Sequence, residues 1–289
     1  MTRAPNPASD QLFNRLFDTL TEGQSPRLWS FVVTIFGDLA QDEQARISGS
    51  LMGAFVGRIG LKPEALRVAL HRLRKEGWLE SHKQGRSSDY ALSPWGRAQS
   101  AQASEIIYGK AALASPEEAF LVLHDPTDKA REPSEGLYSL SQAASISLRP
   151  PATDRDLVLR LRADDPARIP AWVPLRLCDE ALLEASRRLE QQLEQVLAHQ
   201  GMLGQMTGLD RMVLRVLIVH SWRRLILKAP LLPAFLFPPT WRGPACAAQV
   251  EALLKVLAPL SIDDLAEAVA TGTGTETGTG TGTGTAASG

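Results

Sequence analysis

The stretch Ser50–Gly96, SLMGAFVGRIGLKPEALRVALHRLRKEGWLESHKQGRSSDYALSPWG, limits the fold more than any other part of the chain. Pro63 suits the first turn of a helix, where its missing N–H would be unsatisfied anyway, and Gly77 ends that helix after Glu76. At 100° per residue Leu66, Ala69, Leu70 and Leu73 share one face, a stripe fit for a core. Arg67, His71 and Arg74 form the adjoining stripe, and Glu64, Val68 and Lys75 lie opposite the core. A shorter helix, Ser50–Ile59, precedes it across the tight Gly60-Leu61 link. After Gly77, WLESH (78–82) alternates as a strand, KQGRSS is a polar basic turn, and DYALS returns as a second strand. Two helices joined by a few residues and followed by a hairpin are the plan of a winged helix-turn-helix.

Charge gathers in the same place. The whole chain has 31 Lys and Arg against 32 Asp and Glu, a net charge of −1, which argues against a protein that coats polyanions everywhere. From Arg58 to Arg97, however, nine basic residues face four acids, so this window is +5 and the remainder is −6. A local basic patch is the electrostatic footprint of a phosphate-backbone contact. On this reading Arg67 and His71 face base edges, Arg74 and Lys75 lie on phosphates, and Lys62 belongs to the same DNA-binding set. Lys83 and Arg86 carry the hairpin tip to an adjacent minor groove or its phosphates, and Ser87 and Ser88 donate hydroxyl hydrogen bonds. The alternative is a winged-helix interaction or assembly module whose basic face meets an acidic protein.

The expected class is α+β. After SPEE (115–118) short apolar runs at 119–124, 144–148 and 156–161 read as strands with Pro and Gly between them. Helical periodicity returns at 182–200, at 212–227 and in ACAAQVEALLKVLAPL (245–260). The resulting plan is a polar lead-in (1–24), a DNA-binding domain (25–110), a strand-rich middle domain (111–175), a helical domain (176–270) and a Gly/Thr tail (271–289). The tail, TGTGTETGTGTGTGTAASG, has almost no apolar surface to offset the entropy of ordering its glycines, and is expected to be disordered.

Other chemistry finds no foothold in the sequence. There is no G-x-S-x-G or H-E-x-x-H, no metal-ligand spacing, and no partnered His beside Cys178 or Cys246, so neither an enzyme nor a metal protein is expected. Asp164-Asp165 beside Pro166 reads as a turn. The two cysteines lack a C-x-x-C spacing, which fits a reducing compartment. The longest uncharged apolar run, Ala229–Trp241, holds four prolines and is too short to span a bilayer. The N-terminus lacks the apolar run of a signal peptide, so the chain is expected to be cytoplasmic and, with DNA as its partner, to sit with the nucleoid.

The run LRVALHRLRKEGWLESHKQGRSSDYALSPWG resembles the winged helix-turn-helix of the PaaX family, transcriptional repressors of phenylacetate catabolism. A second segment about 150 residues downstream, IVHSWRRLILKAPLLPAFLFPPTWRGPAC (218–246), is similar to that family's C-terminal signature. The resemblance implies a ferredoxin-like middle domain, a C-terminal helical domain and a homodimeric repressor. It implies release from double-stranded operator DNA by an aryl-CoA thioester such as phenylacetyl-CoA, with no cofactor. Where the family usually carries a Trp and a Tyr on its long helix, this chain has no Phe, Trp or Tyr from Val173 to Ser221. That departure bears on the ligand more than on the DNA.

Four residues are candidates for the effector site. His220, Arg223 and Arg224 lie on the 212–227 helix, where guanidinium groups suit the phosphates of a CoA ester. The competing role for the arginines is ion pairing across an interface, near Glu180 or Glu184, and for His220 a satisfied internal position. Trp241, with Pro238, Pro239 and Gly243, is either a ligand wall or a packing anchor.

Overall fold

A computed structural model describes residues 7–22, 26–84, 87–109, 118–127, 136–152, 154–164 and 169–273. It is an α+β structure with two small antiparallel sheets. Helix α1 (Pro7–Thr21) lies within the stretch read as a polar lead-in, and this corrects that reading. Its Leu12, Phe13, Leu16 and Leu20 recur at helical spacing and are buried, while the polar residues between them face outward.

Helix α2 (Leu28–Leu39) follows, then the two-residue strand β1 (Ile47–Ser48) and helix α3 (Gly49–Arg58), whose N-cap Ser48 accepts a hydrogen bond from Leu51 N. Helix α4 (Pro63–Lys75) starts on Pro63 as expected and buries Leu66, Ala69, Leu70 and Leu73. Gly60 and Gly77 take φ of +74° and +78° at the ends of these two helices, a backbone region that side chains resist. Strands β2 (Leu79–Gln84) and β3 (Ser87–Leu92) form the hairpin, with β1 paired to β3 to give the order β1-β3-β2. Helix α5 (Pro94–Ile107), which the sequence pattern does not announce, leaves β3 directly under a Ser93 N-cap.

The middle sheet has strands β4 (Glu118–Leu123), β5 (Leu137–Ser141), β6 (Ala144–Ser147) and β7 (Leu157–Arg162), in the order β5-β6-β4-β7 and antiparallel throughout. Strand β5, LYSLS, escaped the apolar-run criterion because serines occupy two of its positions and a register shift interrupts it. Ala119, Leu140 and Ile146 of this sheet form a small core with Leu232, Leu236 and Val173 of α6 (Trp172–Leu177).

The remaining helices are α7 (Glu180–Leu197), α8 (Gln200–Leu203), α9 (Gly208–Ile226), α10 (Gly243–Val256) and α11 (Ile262–Thr273). Asp179 and Thr207 cap α7 and α9 by accepting from Leu182 N (2.7 Å) and Asp210 N (3.1 Å). Helix α11 takes in the first three residues assigned to the Gly/Thr tail; the rest of that tail lies outside the described residues. One hydrophobic cluster runs from Leu12 to Leu265 and joins α1–α4 with α7, α9, α10 and α11. Helix α9 is its axis, packed by α1, α2, α3, α5, α7, α10 and α11.

Candidate nucleic-acid interface

Helix α4 is set by what it buries. Its apolar stripe faces α2 and α3, so the opposite side stands in solvent. Lys62 precedes the first turn, and Lys62, Arg67, His71, Arg74 and Lys75 are all exposed. Arg74 and Lys75 sit in the last turn, where cations complement the helix dipole. Val68, on the same outer side, is 70% exposed. The hairpin leans on α4 through β2, and Trp78 at its base meets Trp95 of α5 edge-on with ring centroids 4.9 Å apart. Lys83 is exposed and pairs in register with Ser88, and Gln84 with Ser87. Ser87 is thus placed in the backbone of β3, while Gly85 and Arg86 at the tip lie outside the described residues.

Not every cation of the +5 window faces outward. Arg58 is turned inward: it pairs with Asp10 at 2.6 Å and with Asp210, donates to Asn14 at 3.1 Å, and lies 3.6 Å over the ring of Phe13. It ties α3 to α1 and to the first turn of α9, so its charge is spent inside the protein. Arg97 donates to the Leu92 carbonyl at 3.2 Å. Arg72 pairs with Glu76 at 2.7 Å and lies 5.2 Å over Trp29 of α2. Lys62, Arg67, Arg74, Lys75 and Lys83 make no ion pair among the described residues. Five free cations on one helix and one hairpin remain as the basic face.

The four effector candidates separate. His220 is 4% exposed; its Nδ1 lies 3.0 Å from Thr34 Oγ1 of α2 and its ring meets Phe31 edge-on at 5.9 Å. Burial, and then the charges of Arg223 and Arg224, push its pKa down to about 3, so the ring is neutral at pH 7. Arg223 donates to Thr34 Oγ1 at 3.0 Å and to the Ser30 carbonyl at 3.3 Å. Arg224 is exposed and lines a groove of about 830 Å³ between the α1–α2 link, α7 and α9, as do His220, Arg188 and Lys228. The floor of that groove includes Leu182, Leu189 and Leu217. Neither arginine pairs with Glu180 or Glu184, which bind Arg187 and Arg188 of their own helix. Trp241 is away from the groove: it stacks on Phe237 at 5.2 Å, and its indole covers Gly243 so closely that a Cβ there would fall 2.3 Å from the ring. Packing therefore accounts for Trp241.

Two buried polar networks were not legible in the sequence. Arg215 of α9 donates to both carboxylate oxygens of Asp38 in α2, at 2.7 and 2.8 Å, and to the carbonyls of Leu254 and Leu257. Tyr108, at the end of α5, donates to the same carboxylate at 2.7 Å, and burial together with Asp38 raises its pKa. In the middle sheet Asp156, His124 and Ser145 form a chain with contacts of 3.4 and 2.8 Å. Its order is that of a nucleophilic relay, but Ser145 is 5% exposed and the chain acts as a crosslink from β4 to β6 and β7. The thiols of Cys178 and Cys246 are buried, and burial pushes their pKa values up to about 11 and about 12, so both are protonated at neutral pH.

These features define an α+β protein that displays one basic helix and hairpin, while Arg58, Arg215 and Arg223 make their hydrogen bonds inside the fold. The chain belongs to the PaaX-like protein family: the PaaX-like signature matches residues 27–96 and the PaaX-like C-terminal domain matches 179–266, together more than half of the chain. It is also similar to the transcriptional repressor PaaX of Escherichia coli (strain K12), with 26% identity over 237 residues, covering 74% of this chain and 75% of that protein. The first match begins just before α2 and ends in the first turn of α5, so it holds the whole basic face.

Proposed function

We propose that this chain is a transcriptional repressor that binds double-stranded operator DNA through a winged helix-turn-helix made of α3, α4 and the β2–β3 hairpin. The observation that carries this reading is the set of five exposed cations, Lys62, Arg67, Arg74, Lys75 and Lys83, that make no ion pair among the described residues and lie on α4, its start and the hairpin. Arg67 and His71 read base edges, Arg74 and Lys75 hold phosphates, and the tip with Lys83, Arg86 and Ser87 meets the flanking backbone. Kinship with a transcriptional repressor supports the same regulatory role. The strand order of the middle sheet supports a ferredoxin-like middle domain, although no helix joins β6 to β7 among the described residues.

The genes controlled are those of phenylacetate breakdown, and the effector is phenylacetyl-CoA or a related acyl-CoA. The groove between α7 and α9 is its site, with Arg224 at the rim toward the phosphates and leucines below for the acyl part. On this reading the chain acts as a homodimer. Leu157 and Leu159 on the edge strand β7, 56% and 43% exposed, offer an apolar strip for a second copy.

The test is titration of the full chain onto duplexes from its own and neighbouring promoters across a range of salt. Specific binding with a steep negative salt slope is expected. Promoter DNA bound no more tightly than random duplex at every salt concentration overturns the reading and leaves the basic face to an acidic protein. Release of the operator complex by phenylacetyl-CoA is read separately, and a complex unmoved by excess thioester rejects that ligand.

A further inference from the structure

The exposed valine on the basic face has no role in the fold. Val68 is 70% exposed, the highest value among the exposed large hydrophobic residues described. At 100° per residue it lies roughly 150° from the buried stripe of α4 and shares the outermost ridge with Glu64, His71 and Lys75, while Arg67 and Arg74 lie on one flank. Helix stability does not explain it, because a β-branched side chain is a poorer helix former than the Ala, Glu or Lys that would serve at a solvated position. Charge pairing does not explain it either.

We propose that Val68 is a specificity residue that reads the C5-methyl group of a thymine in the major groove. The inference rests on the DNA-binding reading above and adds a base to it. An apolar side chain that enters a groove of anionic phosphates and polar base edges meets one apolar group there, the thymine methyl. Val68 is suited to that contact by position and by stiffness. The ridge it shares is the first part of α4 to reach the floor of a groove. In a helix its χ1 is almost fixed, so both methyl groups are already placed and little rotamer freedom is lost on binding. Arg74 on the flank and Lys75 at the end of the ridge supply the phosphate attraction that brings the ridge down.

The experiment uses the full chain and a duplex selected by it from a random pool, with each thymine replaced one at a time by uracil, which lacks only the methyl group. Wild-type protein is expected to lose about four-fold in affinity at one thymine of a half-site, the equivalent of ~0.8 kcal/mol for one buried methyl group. Val68→Ala is expected to bind the thymine and uracil duplexes alike, close to the wild-type affinity for uracil. Val68→Thr keeps one methyl and is expected to retain part of the discrimination. Both variants sit on an exposed helix position, so folding is preserved, as circular dichroism would verify. Val68→Ala that still discriminates at the same thymine overturns the proposal. So does a wild-type protein indifferent to every uracil substitution while still preferring its selected duplex to random DNA. If no selected duplex outcompetes random DNA, the DNA-binding reading itself has failed and this proposal falls with it.

Discussion

Helix α4 keeps Leu66, Ala69, Leu70 and Leu73 inside and its cations outside, whereas α9 buries Asp210, Arg215 and His220 among apolar side chains on every side. The two helices share residue types and differ in surroundings. Helix α4 lies at the surface with one apolar stripe, so its arginines cost nothing to hydrate. Helix α9 is the axis of the main core, and a buried charge there is tolerable only when paired and hydrogen-bonded. Arg215 meets that demand with Asp38 and two carbonyls, Asp210 with Arg58, and His220 by staying neutral against Thr34. An arginine is therefore solvent-facing or a crosslink according to the side of the helix that carries it, and Arg58 shows that neighbours in sequence can fall on either side of the divide.

The comparison breaks most readily at Arg215. Arg215→Ala leaves Asp38, whose side chain is 1% exposed, with the Tyr108 hydroxyl but without its cation, and is expected to cost about 3–5 kcal/mol in urea unfolding. A loss below about 1 kcal/mol, the scale of a surface pair, would show that α9 is no core axis. Next in size is the contrast between Arg67 and Arg58. Arg67→Ala is expected to weaken specific DNA binding by roughly 1–3 kcal/mol, and Lys75→Ala to weaken all sequences alike and lower the salt slope by about 1. Arg58→Ala should leave the salt slope unchanged and cost about 1–3 kcal/mol of stability, because Asp210 loses its partner. Equal loss on specific and random DNA for Arg67→Ala would show that the groove-facing side of α4 is misassigned. A salt slope altered by Arg58→Ala would return that residue to the interface.

A separate effect is that of pH. His220 titrates at about 3 in the folded protein against an ordinary 6.5, so between these values the unfolded chain binds one more proton. Stability from this residue is fully present above pH 6.5 and declines as pH falls toward 3, by up to about 1.4 kcal/mol per pH unit. Denaturation curves from pH 7 to pH 4 should show this slope, and His220→Gln should remove about one proton from it. An unchanged proton uptake in that variant would mean that His220 is not held neutral.

What the sequence made legible was local. Pro63, Gly77 and the Leu66–Leu73 spacing determine α4, and the WLESH–DYALS alternation determines the hairpin, because these elements are governed by neighbours in the chain. What it concealed depends on distant partners. Nothing in the sequence near Arg58 signals Asp210, which is 152 residues away, and nothing near Asp38 signals Arg215. Helix α1 was hidden by its polar majority, although Leu12, Phe13, Leu16 and Leu20 keep the period of a buried stripe. Trp241 fell out of the candidate site because its ring is occupied by Phe237 and Gly243, contacts that its Pro-rich surroundings foreshadowed.

The continuous core bears on how such a protein is able to change. Phe31, Ile35 and Phe36 of α2 are fully buried, and α2 packs on α9 as closely as on α4. A graft of residues 26–96 onto a foreign body would carry off one wall of this core and leave the other bare. The segment that carries α4 and the hairpin is thus not portable. On the DNA-binding proposal, new preferences arise instead by substitution on the outer ridge of α4, where Val68, His71 and Lys75 are exposed. Lineages of this architecture would then diverge at the surface of one helix while inheriting head and body as a single piece.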